Sequence, residues 1–377
     1  MQAFNLQSLL RPHILSLKPY SSARDEYTGK EGVFLDANEN PLGSVTESGN
    51  YNRYPDPYQW AIKQRLAPIK HVAPEQIFLG NGSDEAIDLL IRATCRPGID
   101  SILIMPPTYG MYEVSAGVND VAITKVPLTP DFQVNTDAVL ANITETTKLI
   151  FFCSPNNPSG NLLSAEAIRT VLEAAQQSLV IVDEAYIDFA DTPSWTNELA
   201  NYPNLLVMQT FSKAWGLAAL RLGMCFASEE LIRVLNKIKP PYNISAPTQE
   251  LALEALAHEA GKNELVAKIL EQRAILAENL RSLPTVQVIH PSDANFLLVQ
   301  FDNAFAVFEH LIQEQVIVRD RSKVTLCEGC LRISVGTQPE NERLMEVLRN
   351  RLNAPISTDL PLGTGEVATK PELVSNA

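Results

Sequence analysis

Four short apolar runs, each closing on polar residues, constrain this chain more than any other feature. They are Ile77-Phe78-Leu79, Leu149-Ile150-Phe151-Phe152, Leu179-Val180-Ile181-Val182 and Leu205-Leu206-Val207-Met208. Unbroken runs of this length read as strands buried on both faces, the mark of a parallel sheet covered by helices. From Gln59 to Pro247 they alternate with helical patterns, and Ile102-Leu103-Ile104-Met105 adds another strand, which predicts βαβ units. Open sheets of this kind place ligands beyond the carboxyl ends of their strands. The residues waiting there are Gly80-Asn81-Gly82-Ser83-Asp84, Ser154 to Gly160, Asp183 to Tyr186, and Thr210-Phe211-Ser212-Lys213.

Lys213 offers an amine able to form a Schiff base. Such a lysine becomes a nucleophile for carbonyl chemistry once its ammonium is desolvated or crowded by other cations. Thr210, Ser212 and Arg221 could hold a phosphate beside it, as could the backbone N–H groups around Gly82 to Asp84 where a helical pattern begins. A lone loop lysine is ordinarily a solvated surface residue. The weight of the reading therefore rests on the company it keeps at the other strand ends.

Residues Ser154-Pro155-Asn156-Asn157-Pro158-Ser159-Gly160, Asp183-Glu184-Ala185-Tyr186 and Ser212-Lys213 through Arg221-Leu222-Gly223 together resemble the fold-type I pyridoxal-phosphate enzymes, and within them the histidinol-phosphate aminotransferases. The likeness extends from Asp36-Ala37-Asn38-Glu39-Asn40-Pro41-Leu42-Gly43, through Arg53-Tyr54-Pro55-Asp56-Pro57, to Leu331-Arg332-Ile333-Ser334-Val335-Gly336. It implies an α/β fold with a large, mostly parallel-sheet domain and a smaller α+β domain. It also implies pyridoxal 5'-phosphate as cofactor, with Lys213, Asp183, Tyr186 and Asn157 as the catalytic set.

By the same resemblance, Ser83, Asp84, Thr210, Ser212 and Arg221 hold the cofactor phosphate, Tyr109 stacks on its ring, and Tyr54 reaches the phosphate of the other subunit. Tyr20, Asn40, Arg319 and Arg332 are the implied substrate contacts. The implied reaction is transamination between L-histidinol phosphate and 2-oxoglutarate, in histidine biosynthesis, by a cytoplasmic homodimer with shared sites. One departure is Ala219, where many relatives carry Gly; an extra methyl there is expected to alter packing beside the phosphate loop. Three other activities stay open on the residues. They are an aromatic-amino-acid aminotransferase, a threonine-phosphate decarboxylase-like lyase, and an effector-binding module of a regulator, which would need a DNA-binding segment not found before residue 30.

Composition narrows the partners. A formal charge of −14 argues against nucleic acid and anionic membrane surfaces, and no apolar run approaches the roughly 18 residues of a membrane helix. The N-terminus lacks the basic and apolar regions of a secretory signal. Five scattered cysteines suit reduced thiols in a cytoplasm. Cys327-Glu328-Gly329-Cys330 reads as a turn before a strand, with no histidine nearby in sequence to complete a metal site.

The expected organisation is an N-terminal arm (1–32), a large cofactor-binding domain (49–247), a small α+β domain (33–48 plus 248–353) and a disordered tail (354–377). The arm carries a short helical pattern at Leu6 to Leu17 and is expected to be tied down by a partner subunit. Farther on, helices are predicted at 230–239, 263–283, 304–315 and 339–352. Strands are predicted at 286–289, 295–299, 316–318 and 331–335.

Overall fold

The computed structural model describes residues 4–20, 32–46, 49 and 51–353, so the expected tail lies outside the described residues. Seven strands form one sheet: β1 (Ile77–Asn81), β2 (Ser101–Ile104), β3 (Ala122–Lys125), β4 (Thr147–Cys153), β5 (Leu179–Asp183), β6 (Leu205–Thr210) and β7 (Leu222–Phe226). Their spatial order is β1-β7-β6-β5-β4-β2-β3, and β7 alone runs antiparallel to its neighbours.

The unbroken apolar runs are explained by the two faces they serve. Ile150, Phe152, Val180 and Val182 enter the core on one side of the sheet, and Leu149, Phe151, Leu179 and Ile181 enter the core on the other. Successive side chains alternate faces, so a strand covered on both needs no polar positions. Polar residues then gather mainly at the strand ends, and those beyond the carboxyl ends of the parallel strands share one edge.

A second, antiparallel sheet has the order β10-β11-β9-β8, from β8 (Val286–Ile289), β9 (Phe296–Phe301), β10 (Arg319–Asp320) and β11 (Cys330–Ser334). The 23-residue helix Glu259–Arg281 joins the two regions. Near its start Val266 packs with Tyr186, Ala214 and Phe296, and near its end Leu276 and Leu280 enter the core of the small sheet.

Three expectations need correction. The strand expected at 316–318 is the exit from the helix Ala304–Gln313 instead: Gln315 has φ +58° and the Val316 N–H returns to the Leu311 carbonyl. A helix at Ala246–Leu256 was not expected. Here Pro247 occupies the first turn after the Ser245 cap, where its missing N–H costs nothing. Ala252 and Leu256 of that helix join the core of the large sheet, so by packing the boundary set at 247/248 falls too early. The described part of the arm also packs on its own chain, with Leu6, Leu9 and Leu10 in the large-sheet core and the Lys237 ammonium on the Ile14 carbonyl at 2.7 Å.

Residues 32–46 form no helix or strand, and their bonds run to the next stretch of chain. Glu39 accepts from Arg53 at 2.6 Å and from the Tyr54 N–H at 2.7 Å.

Candidate active site

The carboxyl ends of β1, β4, β5 and β6 open into one cavity. It is lined by Ser83, Asp84, Tyr109, Asn157, Asp183, Tyr186, Thr210, Ser212, Lys213 and Arg221, ten of the fifteen residues singled out from sequence. Gly82 and Cys153 also line it. Two glycines make the geometry possible. Gly82 opens the helix Gly82–Thr94 with φ +69°, and its N–H donates to the Arg221 carbonyl at 2.6 Å. A Cβ at Gly223 would meet the Ser83 nitrogen at 2.2 Å, so only glycine lets β7 pass this close to the helix start. The first amides of that helix, the Ser83, Thr210 and Ser212 hydroxyls and the Arg221 guanidinium therefore converge.

Asp183 ends β5 and is fully enclosed. Its Oδ2 accepts from the Tyr112 hydroxyl at 2.6 Å and its Oδ1 from the Ala185 N–H at 3.1 Å. Burial pushes its pKa up to about 6 against the pull of these two donors. Lys213 is held below the usual ammonium range, first by burial and then by the Arg332 charge. Its Nζ lies 5.4 Å from the centre of the Tyr186 ring. Burial raises the Tyr186 phenol, and the guanidiniums of Arg332 and Arg321 oppose that rise.

Arg332, on β11 of the small sheet, reaches across and donates to Asn157 Oδ1 at 2.5 Å; Asn157 Nδ2 lies 3.5 Å from the Tyr186 hydroxyl. Its guanidinium also lies over the Phe296 ring at 5.2 Å. Arg319 pairs with Arg332 in the β10–β11 register and is exposed. Tyr109 donates to Asp84 Oδ1 at 3.1 Å, and Arg221 lies 3.8 Å from Asp84 Oδ2.

Three of the fifteen stand away from the cavity of their own chain. Tyr20 is exposed and lines a separate groove with Tyr58, Trp60 and Lys63. Asn40 is exposed and caps its own turn, accepting from the Leu42 N–H at 3.0 Å. Tyr54 is half exposed and stacks on Tyr242 at 4.4 Å between ring centres.

Sequence reasoning missed Tyr112, whose contact with Asp183 spans 71 positions and leaves no local trace. It also missed His290, whose Nε2 lies 4.0 Å from Cys330 Sγ. All five cysteines are free and buried, and the Cys330 N–H closes the expected turn on the Cys327 carbonyl at 2.9 Å. Ala219 is exposed, so its extra methyl does not disturb the packing as expected.

Residues 27–348 match the family "Aminotransferase class I and II". Over 347 residues the chain is 59% identical to a histidinol-phosphate aminotransferase of Cytophaga hutchinsonii, covering 92% of this chain and 99% of that protein. Among solved structures, the histidinol-phosphate aminotransferase of Clostridium acetobutylicum superposes with a TM-score of 0.74 at 23% identity, over 80% of this chain and 91% of that one. An L-threonine-O-3-phosphate decarboxylase of Porphyromonas gingivalis superposes with a TM-score of 0.68 at 22% identity, over 81% and 92%. The fold alone therefore does not separate the two chemistries. The chain belongs to the class I and II aminotransferases, which work with pyridoxal phosphate, and within them to the histidinol-phosphate aminotransferases.

Proposed function

We propose that this chain moves an amino group between L-histidinol phosphate and 2-oxoglutarate, giving imidazole-acetol phosphate and L-glutamate. One observation carries the reading: Arg332 reaches from the small sheet to Asn157, at the cavity that also holds Lys213 and buried Asp183. An amine, an enclosed carboxylate and an anion anchor then share one space.

The cavity fits pyridoxal phosphate. Burial raises the Asp183 carboxyl, and a cationic ring nitrogen beside it would favour the ionised form again. The phosphate would meet the Ser83 and Asp84 amides at a helix start, together with Thr210, Ser212 and Arg221. Bound there, the cofactor supplies an electron sink for charge developing on the substrate α-carbon.

The chain's own residues do the rest. Asp183 would keep the ring nitrogen protonated, Asn157 and Tyr186 would hydrogen-bond the ring oxygen, and Tyr109 would cover a ring face. Lys213 takes the proton from the substrate α-carbon; its lowered pKa leaves more of the neutral amine that this requires. Arg319 and Arg332 hold the substrate anion. A planar guanidinium pairs bidentately with carboxylate or phosphate, so one pair of anchors serves both half-reactions.

Tyr54, Tyr20 and Asn40 would serve a neighbouring subunit's site in a homodimer, since all three are exposed and none lines the cavity of its own chain. A solution mass of twice 41.6 kDa is expected, and a stable monomer would remove their assigned roles. Five free, buried cysteines suit a reducing cytoplasm. Among the described residues no helix is long and apolar enough to cross a membrane.

A product panel tests the reaction. Purified holoenzyme is mixed separately with histidinol phosphate, phenylalanine, tyrosine and threonine phosphate, and keto product and carbon dioxide are both measured. Keto product from histidinol phosphate, well ahead of the aromatic amino acids, is the expected result. Carbon dioxide from threonine phosphate, with no histidinol phosphate turnover, would replace this reading with the lyase.

A further inference from the structure

We propose that Arg321 is a specificity-determining residue, completing with Arg319 and Arg332 a three-cation seat suited to a dianionic phosphate monoester rather than to a carboxylate. The inference rests on the reaction proposed above and concerns how the same site separates its two substrates.

Strand geometry puts the three side chains on one face. Arg319 pairs with Arg332 and Asp320 with Leu331, and the Arg321 N–H continues the ladder to the Cys330 carbonyl at 2.9 Å. Residues two apart on a strand share a face, and directly paired residues share it too. Burial identifies which face this is. Leu331 and Ile333 enter the small-sheet core, whereas Cys330 joins the large-sheet core and Arg332 reaches Asn157. Arg319 and Arg321 therefore flank Arg332 on the side turned toward the cavity.

The three cations lack acid partners. Among the described residues no carboxylate forms an ion pair with Arg319, Arg321 or Arg332, although the chain carries a net charge of −14. Asp320, the intervening acid, pairs with Leu331 on the opposite face, and its Oδ1 accepts from the Ser322 N–H at 2.8 Å. The Arg321 Nε is buried with no acceptor, and so is the neighbouring Ser322 hydroxyl. A buried donor without a partner is costly, so the Arg321 Nε favours an acceptor from outside the chain. Arg321 also lies close enough to Tyr186 and Arg332 to oppose the first's rise and lower the second.

The chemistry selects the ligand. One guanidinium fork matches a carboxylate, whereas a phosphate monoester near neutral pH carries about −1.5 to −2 charges and three acceptor oxygens. A third cation has more to gain from that dianion than from the carboxylate.

The test compares half-reactions of wild-type and Arg321→Gln holoenzyme with histidinol phosphate and with glutamate, with Arg321→Lys as the charge-retaining control. For the glutamine variant, kcat/KM for histidinol phosphate should fall about 10- to 100-fold, the loss expected for a charge-assisted contact. Glutamate should change less than about threefold on the same grounds, and lysine should restore part of the difference. An unchanged ratio between the two substrates, whether neither moves or both fall together, overturns the proposal. If wild-type enzyme does not turn over histidinol phosphate, the proposed function falls, but competition of inorganic phosphate against glutamate still decides. Phosphate inhibition weakened at least about tenfold in Arg321→Gln supports the seat, and equal inhibition overturns it.

Discussion

The floor of the cavity and the arginine face above it are built on opposite principles. At the floor the buried carboxylates have their partners within the chain. Both oxygens of Asp183 are satisfied, and its neighbour Glu184 accepts from Ser194, the Trp195 N–H and Gln209. On the arginine face, among the described residues, Arg332 alone of the three cations has a side-chain acceptor, Asn157 Oδ1. A satisfied network is rigid and fixes positions to a fraction of an ångström. An unsatisfied set of cations is instead a binding site, because its stabilisation comes from the ligand. The proposed reaction puts chemistry in the first region and recognition in the second.

That division sets the size of each expected effect. Lys213→Ala removes the base from the floor and should abolish turnover, a loss of at least about 10²- to 10⁴-fold. Bound pyridoxal phosphate, measured after dialysis, should survive through the remaining phosphate contacts. Near-normal turnover in this variant would move the chemistry elsewhere.

Arg332→Ala strips the recognition face of the anchor that meets the floor. Loss of a charge-assisted contact should cost roughly 1.5–3 kcal/mol in each half-reaction, with both amino donors affected. Single-turnover rates with glutamate and histidinol phosphate measure it. Normal glutamate rates beside lost histidinol phosphate rates would mean separate anchors for the two anions.

Tyr112→Phe keeps the ring stacked on Phe151 at 4.5 Å and removes only the hydroxyl given to Asp183. The sign follows from which state the hydroxyl favours. Donation stabilises the carboxylate, so its loss moves the Asp183 pKa further above about 6. Cofactor affinity, which needs the ionised form, should decline as pH falls, and in the variant that decline should begin at higher pH. Near pH 6 the difference should be about threefold, rising toward about fivefold at lower pH, matching about 1 kcal/mol for the lost bond. Superimposable pH profiles would reduce Tyr112 to a packing residue.

The two regions also differed in how plainly the sequence announced them. The floor was legible because parallel strands buried on both faces leave polar residues only at their ends, and Asp183, Thr210, Ser212 and Lys213 stand there in unbroken strings. Tyr112 was not, because its role depends on a contact between two distant strand–helix units. On the arginine face, Arg319 and Arg332 were found by resemblance. Arg321 emerged only from the β10–β11 register, which a two-residue strand is too short to display as a pattern. The helix Ala246–Leu256 was not expected, and its proline stands in the first turn, where it does not break a helix.

The separation of chemistry from recognition is tested most directly by one substrate pair. Single-turnover amino transfer by the wild-type holoenzyme is compared for L-histidinol phosphate and for L-histidinol, which differ only in the phosphate. The floor treats the two alike, whereas the arginine face can hold only the first. Histidinol should therefore react at least about 100-fold less efficiently, corresponding to the loss of two charge-assisted contacts of about 1.5 kcal/mol each. Equal efficiency for the two would contradict the account, since the three arginines would then contribute nothing to substrate choice.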